Sequence, residues 1–278
     1  MKHSLSVYFY KLLFEFKKQI LQLFNRFQRQ PYLTRDAFLS RVPPDAKILE
    51  IGPFTIPSIS GPNVDYFDVL SREQLLERAI RINYPHEQCP FIKYVSPTGD
   101  LSIVDETYDY ILSSHCIEHQ PDLIQHLADV NRLLRPEGRY VLVIPDKRYC
   151  MDAFLPESTL QDILQAHEEK RKIHTLRSVV EHRALRAHNK AWLHWIGKHG
   201  KKPDSLPLIE AAMQEYHAAG GSYIDVHAWQ FTPDSFKDIL ETLLKMKLSP
   251  FSVEEIYPTR PGDFEFYVLL KRVNSFNT

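Results

Sequence analysis

Two acidic residues and a glycine in the first third of the chain have the spacing of a nucleotide-binding site. Glu50 and Ile51 end a short apolar run that is followed at once by Gly52 and Pro53. Such a run is typical of a buried strand in a parallel sheet, and glycine allows the sharp turn after it. Asp68 follows at the distance where an acid accepts hydrogen bonds from ribose hydroxyls. We therefore predict that these five residues bind a nucleotide-like ligand.

A second motif with candidate catalytic residues is His115-x-x-Glu118-His119. Two histidines four residues apart on one helix face can bind zinc, with the glutamate as base, as in the inverted zinc peptidases. That chemistry needs a helix, but the apolar strand ending at Leu112 and the nearby Pro121 leave room for little more than one turn. A zinc metallopeptidase is therefore kept only as a remote alternative, and no metal ligands are predicted.

The elements around these residues alternate between strand and helix. Strands are predicted over residues 48–51, 64–69, 91–95, 110–112 and 140–144, and helices over 71–76 and 122–134. Alternation of this kind indicates a parallel sheet with helices on both faces. Asp68 has a structural alternative, because it precedes the helix of residues 71–76 and could cap it, as could Ser71.

Four segments then occur in the order typical of one enzyme family. They are Leu49–Gly52, Asp100-Leu101 followed by 105–109, Glu118-His119, and the phrase Leu-Leu-Arg-Pro-Glu-Gly at 133–138. With these segments the chain resembles the class I S-adenosylmethionine-dependent methyltransferases. The resemblance implies a Rossmann-like, seven-stranded α/β sheet whose last strand is antiparallel. It also implies S-adenosylmethionine as cofactor, with Ser114 among its contacts and His115 at the rim of the site.

The chain departs from the family pattern in two places. The usual glycine-rich loop is replaced after Gly52 by a stiffer loop that contains Pro53 and Pro57. The usual acid after the third strand is absent, since Ser-Pro-Thr occupies 96–98. We expect Asp100 to substitute for that acid and Leu101 to pack on the adenine ring.

A long insertion separates the fifth strand from the end of the core. The predicted units are an N-terminal amphipathic arm (1–36), a cofactor-binding core (37–148), a helical cap (149–228) and the completion of the core (229–278). Cap helices are predicted over 160–172, 179–195 and 208–218. A helix with Thr232 as N-cap and Pro233 in its first turn follows, then strands over 248–257 and 264–271. The cap holds eight of the 13 histidines, which are interpreted as solvated or capping.

The cap is placed to build an acceptor pocket and exclude water. A hydroxyl acceptor needs a base, and histidine suits that task near neutral pH. The candidates are His115 and His227, with Asp146 to orient the hydroxyl and with Arg148 and Tyr149 to bind the substrate. A salt bridge or a cap is the structural alternative for each. The predicted activity is O-methylation of a small-molecule or carbohydrate acceptor, and the alternative is a binding or partner protein that keeps the fold without turnover.

Composition argues against a nucleic-acid-binding protein and allows two interpretations of the N-terminal arm. The formal net charge of −1 gives no electrostatic footprint for nucleic acid, and three unpaired cysteines fit a reducing cytoplasm. Residues 5–27 have helical apolar periodicity, and through residue 30 six basic residues face one acidic residue, a local charge of +5. The arm is interpreted as a lid on the main domain, with peripheral contact to an anionic membrane surface as the alternative. The sequence leaves the oligomeric state open.

Overall fold

The computed structural model describes residues 9–19, 32–202 and 205–273. Its strands are β1 (Ile48–Ile51), β2 (Val64–Asp68), β3 (Tyr94–Val95), β4 (Tyr108–Ser114), β5 (Leu134–Pro145), β6 (Phe251–Tyr257) and β7 (Glu265–Arg272). They form one seven-stranded sheet in the order β3-β2-β1-β4-β5-β7-β6. β1 to β5 pair in parallel, whereas β7 is antiparallel to β5 and β6. The predicted Rossmann-like fold and its antiparallel last strand are confirmed.

Nine helices lie within the described residues. They are α1 (9–19), α2 (Arg35–Leu39), α3 (Arg72–Arg81), α4 (Leu123–Leu133), α5 (Leu160–Glu168), α6 (Leu176–Ala184), α7 (Ala191–Trp195), α8 (Ser205–Ala218) and α9 (Pro233–Lys245). The predicted caps of α9 are confirmed, with Thr232 at the N-cap and Pro233 in the first turn. Ser71 caps α3 through a reciprocal bond with Gln74, so Asp68 is not needed there.

The central strands are buried on both faces, which explains their unbroken apolar sequences. Along β5, Leu142 and Ile144 pack with α4 and α9 on one face, while Val141 and Val143 pack with Phe38 of α2 on the other. Side chains alternate between the faces of a strand, so this run fixes two cores at once. The carboxyl ends of the parallel strands are therefore held on a rigid edge.

Several predicted boundaries are wrong. β5 begins at Leu134 rather than Tyr140. β3 holds only Tyr94 and Val95, and Phe91, predicted to lie in this strand, is 76% exposed. The helix predicted over 179–195 is two helices, α6 and α7. The chain turns between them because the Ala187 N–H donates to the carbonyl of Met151, 2.6 Å away, instead of continuing the helical ladder.

Residues 9–19 of the N-terminal arm are helical, and the predicted helical positions Ile20, Leu21, Phe24 and Phe27 lie outside the described residues. One side of α1 contacts the domain, since a Cβ on Gly262 would lie 2.7 Å from the ring of Phe14. Three apolar residues on the arm remain exposed by 61–62%: Phe9, Leu12 and Phe16. Across the described ranges, we find no helix with the length and apolar character needed to cross a bilayer.

Candidate active site

A cavity of about 530 Å³ opens at the carboxyl edge of the parallel strands. Its wall includes Gly52 after β1, Asp68 of β2, His115 after β4 and Phe264 before β7, and the cap contributes Asp225. The volume lies within the range of small-molecule sites. Its position is also the one expected of an open α/β sheet, because the strand order reverses between β1 and β4.

The turn after β1 depends on the absence of a side chain at Gly52. Its N–H donates to the carbonyl of Phe67 at 2.8 Å, which brings the turn beside Asp68. Gly52 has φ +71°, and a Cβ there would lie 3.1 Å from Cys116 Sγ. A larger residue would therefore be strained and would crowd the start of the next loop. The predicted proximity of Gly52 and Asp68 is present, and the space beside them is open.

Asp68 is a buried carboxylate at the end of β2 that still faces the cavity. It is 6% exposed, and its Oδ1 accepts the N–H of Leu70 at 3.2 Å. Burial raises the pKa of this carboxyl to about 6, and the charge of nearby Asp225 acts in the same direction. Asp68 is therefore ionised at neutral pH and can accept hydrogen bonds from a diol.

Glu50 lines the cavity but directs its carboxylate at the loop that follows Gly52. It accepts the N–H of Ser58 at 2.8 Å and that of Ile59 at 3.3 Å. Arg35 of α2 donates to Ser58 Oγ at 3.0 Å from the other side. Burial raises the pKa of Glu50 to about 7. The proline-containing loop is thus held by a carboxylate and a guanidinium where the family pattern uses several glycines.

Among the remaining predicted cofactor residues, Asp100 does not face the cavity. Its Oδ1 accepts the N–H of Ser102 at 2.8 Å and caps a single 3-10 turn. Thr98 and Gly99 line the wall in its place, and Leu101 lines it beside them. The preceding glycine turns the chain at φ +71°, so the acid points away from the expected adenine position. Six more predicted cofactor contacts line the wall with Leu101: Glu50, Ile51, Gly52, Pro53, Asp68 and Ser114.

The other end of the cavity is built around His115. This residue adopts φ +52°, and its ring packs against Phe264 with centroids 5.5 Å apart. Its Nε2 lies 2.8 Å from Glu265 Oε2, which Arg35 also contacts at 3.1 Å. Burial acts to raise the pKa of Glu265, but the hydrogen bond to His115 and the charges around it hold that pKa below its usual value. An ionised Glu265 therefore fixes the ring of His115.

Beside His115 lies a cluster of two histidines and three carboxylates, of which His227, Glu118 and Asp152 are buried and His119 and Asp225 line the cavity. His119 Nδ1 is 2.9 Å from Asp225 Oδ1, and His227 Nδ1 is 2.6 Å from Asp152 Oδ2. The Nε2 atoms of both histidines face Glu118 Oε1, at 3.8 Å and 3.9 Å. Glu118 is fully buried, and neither carboxylate oxygen has a hydrogen-bond partner among the described residues. His227 does not line the cavity itself.

The cap closes over the cavity through Asp225 and Tyr223. Arg78 of α3 forms an ion pair with Asp225, and Arg183 of α6 donates to its carbonyl at 3.3 Å. The roof is therefore tied both to the core and to the cap. Sequence reasoning missed Arg35, Arg78 and Asp225, because each acquires its role only from a partner far away in the chain.

The remaining predicted residues lie together, but outside the cavity. Asp146 is fully buried, and it accepts hydrogen bonds from Arg148 Nη2 and from Thr259 Oγ1, both at 2.6 Å. Tyr149 stacks on Trp195 with ring centroids 4.0 Å apart. The ion pair of Asp146 with Arg148 matches the structural alternative given for these two residues, and the stacking of Tyr149 joins the end of β5 to the cap.

Comparisons with known proteins identify the family. A family model described as a methyltransferase domain matches residues 24–200. No curated protein matches the chain at a significant level. Similar solved structures include a 1,6-didemethyltoxoflavin-N1-methyltransferase of Burkholderia thailandensis (14% identical, 86% of this chain and 76% of that chain covered, TM-score 0.42). Another is an S-adenosylmethionine-dependent methyltransferase of Mesorhizobium loti (16%, 85% and 96%, TM-score 0.42). Both are too distant to carry an argument on substrate.

Since the family model covers more than half of the chain, the protein belongs to the methyltransferase domain family. It is an S-adenosylmethionine-dependent methyltransferase, and S-adenosylmethionine is its cofactor. The residues present fit that cofactor. Asp68 offers a buried acceptor for a ribose diol, Gly52 leaves room beside it, and Leu101 supplies an apolar wall.

Proposed function

We propose that the protein methylates a hydroxyl group of a small-molecule or carbohydrate acceptor. The main support is the position of His115, whose imidazole lines the cavity and lies 2.8 Å from Glu265. S-adenosylmethionine, when bound, supplies a methyl group on a positively charged sulfur that an acceptor atom can displace. An oxygen acceptor must also lose a proton, and a nitrogen base near neutral pH suits that step.

The partner of His115 determines which nitrogen can act. If Nε2 carries the proton that Glu265 accepts, Nδ1 keeps its lone pair, on the side where Glu118 Oε1 lies 3.9 Å away. Nδ1 then takes the proton of the acceptor hydroxyl, and Glu265 stabilises the resulting imidazolium. In this role Glu265 is a positioning residue, as is Arg35, which holds Glu265 and donates to Ser114 Oγ at 2.5 Å. His227 is the second candidate base, lying behind Glu118.

The polarity of the wall near His115 supports a hydroxylated acceptor. Arg35, His119 and Asp225 all line this end of the cavity. Such groups can form further hydrogen bonds with sugar-like hydroxyls, whereas an apolar acceptor would remove water from them without replacing its hydrogen bonds. The roof of Tyr223 and Asp225 restricts water, which strengthens each of these contacts. Asp146, Arg148 and Tyr149 support the cap from outside in this proposal.

Two measurements test the proposal. Calorimetry with S-adenosylmethionine and S-adenosylhomocysteine should show binding to one site per chain. A panel of sugars, phenols and amines should then be screened for formation of S-adenosylhomocysteine, and the products should be identified by mass spectrometry. We expect O-methyl products. Methylation of amines alone would overturn the O-methylation proposal, and absence of cofactor binding would favour the alternative of a partner protein without turnover.

A second proposal concerns the arm, which we infer to contact an anionic membrane surface. Phe9, Leu12 and Phe16 of α1 are each more than 60% exposed, and Lys11 and Lys17 lie on the same helix. The opposite contact, Phe14 against Gly262, lies two residues from Phe264 in the cavity wall. The arm therefore combines lid and membrane roles. Sedimentation with anionic vesicles tests this proposal, because deletion of residues 1–30 should abolish it.

A further inference from the structure

The cluster of histidines and carboxylates beside His115 has the features of a metal centre. We propose that Glu118, His119 and His227 bind a divalent transition-metal ion through Glu118 Oε1 and the two histidine Nε2 atoms. These three ligand atoms lie within 4.8 Å of one another. Two imidazoles and one carboxylate form a ligand set that zinc, iron and cobalt accept readily, whereas magnesium and calcium prefer oxygen ligands.

His227 is oriented as a metal ligand is usually oriented. Asp152 Oδ2 forms a hydrogen bond with His227 Nδ1 at 2.6 Å, and Asp225 Oδ1 lies 2.9 Å from His119 Nδ1 without the geometry of a hydrogen bond. A carboxylate bonded to one ring nitrogen fixes the tautomer that leaves a lone pair on the other nitrogen, as at His227. The Nε2 atoms of both histidines face Glu118 Oε1.

The distances permit an ion after a small contraction. The two Nε2 atoms lie 3.8 Å and 3.9 Å from Glu118 Oε1. Ligands at about 2.1 Å from a shared tetrahedral ion lie roughly 3.4 Å apart, and they lie farther apart at wider angles. A shift of about half an ångström would therefore complete the site.

Glu118 supplies the independent observation that a ligand is needed. It is fully buried, and its two carboxylate oxygens have no hydrogen-bond partner within the described ranges. A buried carboxylate in that state is costly unless a cation or a proton compensates it. Three carboxylates, Glu118, Asp152 and Asp225, share the cluster, and Arg78 supplies one positive charge opposite Asp225.

A neighbouring set, Asp152 with His182 and His227, is also close enough to bind an ion. It is less suited, because His227 Nδ1 already contacts Asp152 at 2.6 Å and His182 Nδ1 accepts the N–H of His227 at 3.1 Å. The ring nitrogens that face each other there are thus already engaged. We therefore place the ion on the Glu118 side.

The location links the metal to the cavity. His119 lines the cavity wall, so three protein ligands would leave a coordination position for an acceptor oxygen. This consequence rests on the proposed O-methylation, and it favours acceptors whose hydroxyl can bind a metal. The metal site itself does not depend on that activity.

The test uses the full chain without cofactor or acceptor, so its result is separate from that of the methylation assays. The protein is stripped with a chelator, dialysed and titrated with Co²⁺, followed by visible absorption, and with Zn²⁺, followed by calorimetry. We expect one equivalent of each metal to bind. Glu118→Gln should weaken binding more than about 100-fold, since loss of an outer-shell partner alone costs 10–100-fold. Asp225→Asn should fall in that smaller range.

His199→Ala is the matched control, since it removes a cap histidine that contacts His194 rather than Glu118. The His199→Ala variant should bind one equivalent of Co²⁺ or Zn²⁺ with unchanged affinity. Thermal unfolding separates loss of the site from loss of the fold. Zn²⁺ should raise the Tm of the natural chain but not that of the Glu118→Gln variant. The metal-free variant should be at least as stable as the metal-free natural chain, because an unpaired buried charge is removed.

Failure of the natural chain to bind Co²⁺ or Zn²⁺ would overturn the proposal. Equal affinity in a folded Glu118→Gln variant would do the same, because the ion would then lie elsewhere. Either result would mean that Glu118 is not the ligand of a metal ion at this place.

Discussion

The two halves of the cavity are built on opposite plans. In the half at β1 and β2, Gly52 and Asp68 are neighbours because two adjacent parallel strands end together. In the half at β4, β7 and the cap, each contact joins distant parts of the chain. Arg35 and Glu265 are 230 residues apart, Arg78 and Asp225 are 147 apart, and the histidine–carboxylate pair at positions 227 and 152 spans 75.

The difference shows what each half depends on. The cofactor half depends on space, since Gly52 has no side chain and Asp68 lines the cavity with its carboxylate held by backbone N–H groups. The acceptor half depends on mutual charge compensation, since each of His115, His119 and His227 has a carboxylate partner. Substitutions in the first half should therefore change cofactor affinity, and substitutions in the second should change turnover.

The largest effect is expected from His115→Asn. Asparagine tolerates the left-handed φ of +52°, so the backbone should be retained while the base is lost. We expect kcat to fall about 10²- to 10⁴-fold, the usual contribution of a general base, with little change in the Kd for S-adenosylmethionine. Steady-state kinetics and calorimetry measure the two quantities.

Two further variants, Glu265→Gln and His86→Asn, test whether the loss of kcat is specific to the base. Glu265 only positions the base, so its loss should lower kcat less and shift the pH profile of kcat. His86 is an exposed histidine bonded to its own loop, and its replacement should change neither quantity. Full turnover in a His115→Asn, His227→Asn double variant would remove both candidate bases.

A smaller effect is expected from Asp68→Asn in the cofactor half. Hydrogen bonds to a charged group contribute about 1.5–3 kcal/mol, so the Kd for S-adenosylmethionine should rise about 10- to 100-fold. Asp100→Asn is the matched control, because Asp100 caps a turn outside the cavity. Calorimetry on both variants shows which of the two carboxylates contributes to cofactor affinity. A larger loss in Asp100→Asn would restore the role that the family pattern predicts for that acid.

The same contrast explains what the sequence could predict. The succession of strands along the chain follows from local patterns, and seven of the eight residues predicted to contact the cofactor line the cavity, since most of them lie at or next to the end of a strand. Asp100 lies outside the cavity, and this could not be predicted, because residue types do not show that the preceding Gly99 adopts a left-handed conformation.

The acceptor half shows the limit of local patterns. His227 was singled out, but its partners Asp152 and Glu118 come from other elements, so spacing along the chain carries no signal. The cap histidines at 174, 182, 194 and 227 were interpreted as solvated or capping, yet each is less than 9% exposed. Helical composition shows that a cap forms, but not which of its residues face inward.

A prediction for the arm tests whether the acceptor half faces a membrane. Phe9 and Phe16 are each about 60% exposed, so their insertion into a bilayer should contribute roughly 1 kcal/mol apiece. Phe9→Glu with Phe16→Glu should therefore reduce binding to anionic vesicles at least tenfold in sedimentation assays. Phe91→Glu, on a phenylalanine outside the arm that is even more exposed, should leave binding unchanged. Equal loss in both variants would point to nonspecific charge repulsion.

The smallest effect is a pH dependence that belongs to the cofactor half alone. Burial raises the pKa of Asp68 to about 6, and the charge of Asp225 acts in the same direction. The carboxylate that accepts ribose hydroxyls is ionised above this pH and protonated below it, so cofactor affinity should fall as the pH is lowered. If only the ionised form binds, Kd rises about fourfold between pH 7.5 and 5.5. Calorimetry at both values should show this rise in the natural chain and its absence in Asp68→Asn. An unchanged pH dependence in that variant would mean that a group other than Asp68 controls cofactor binding, and Glu50, whose pKa burial raises to about 7, would be the first to replace.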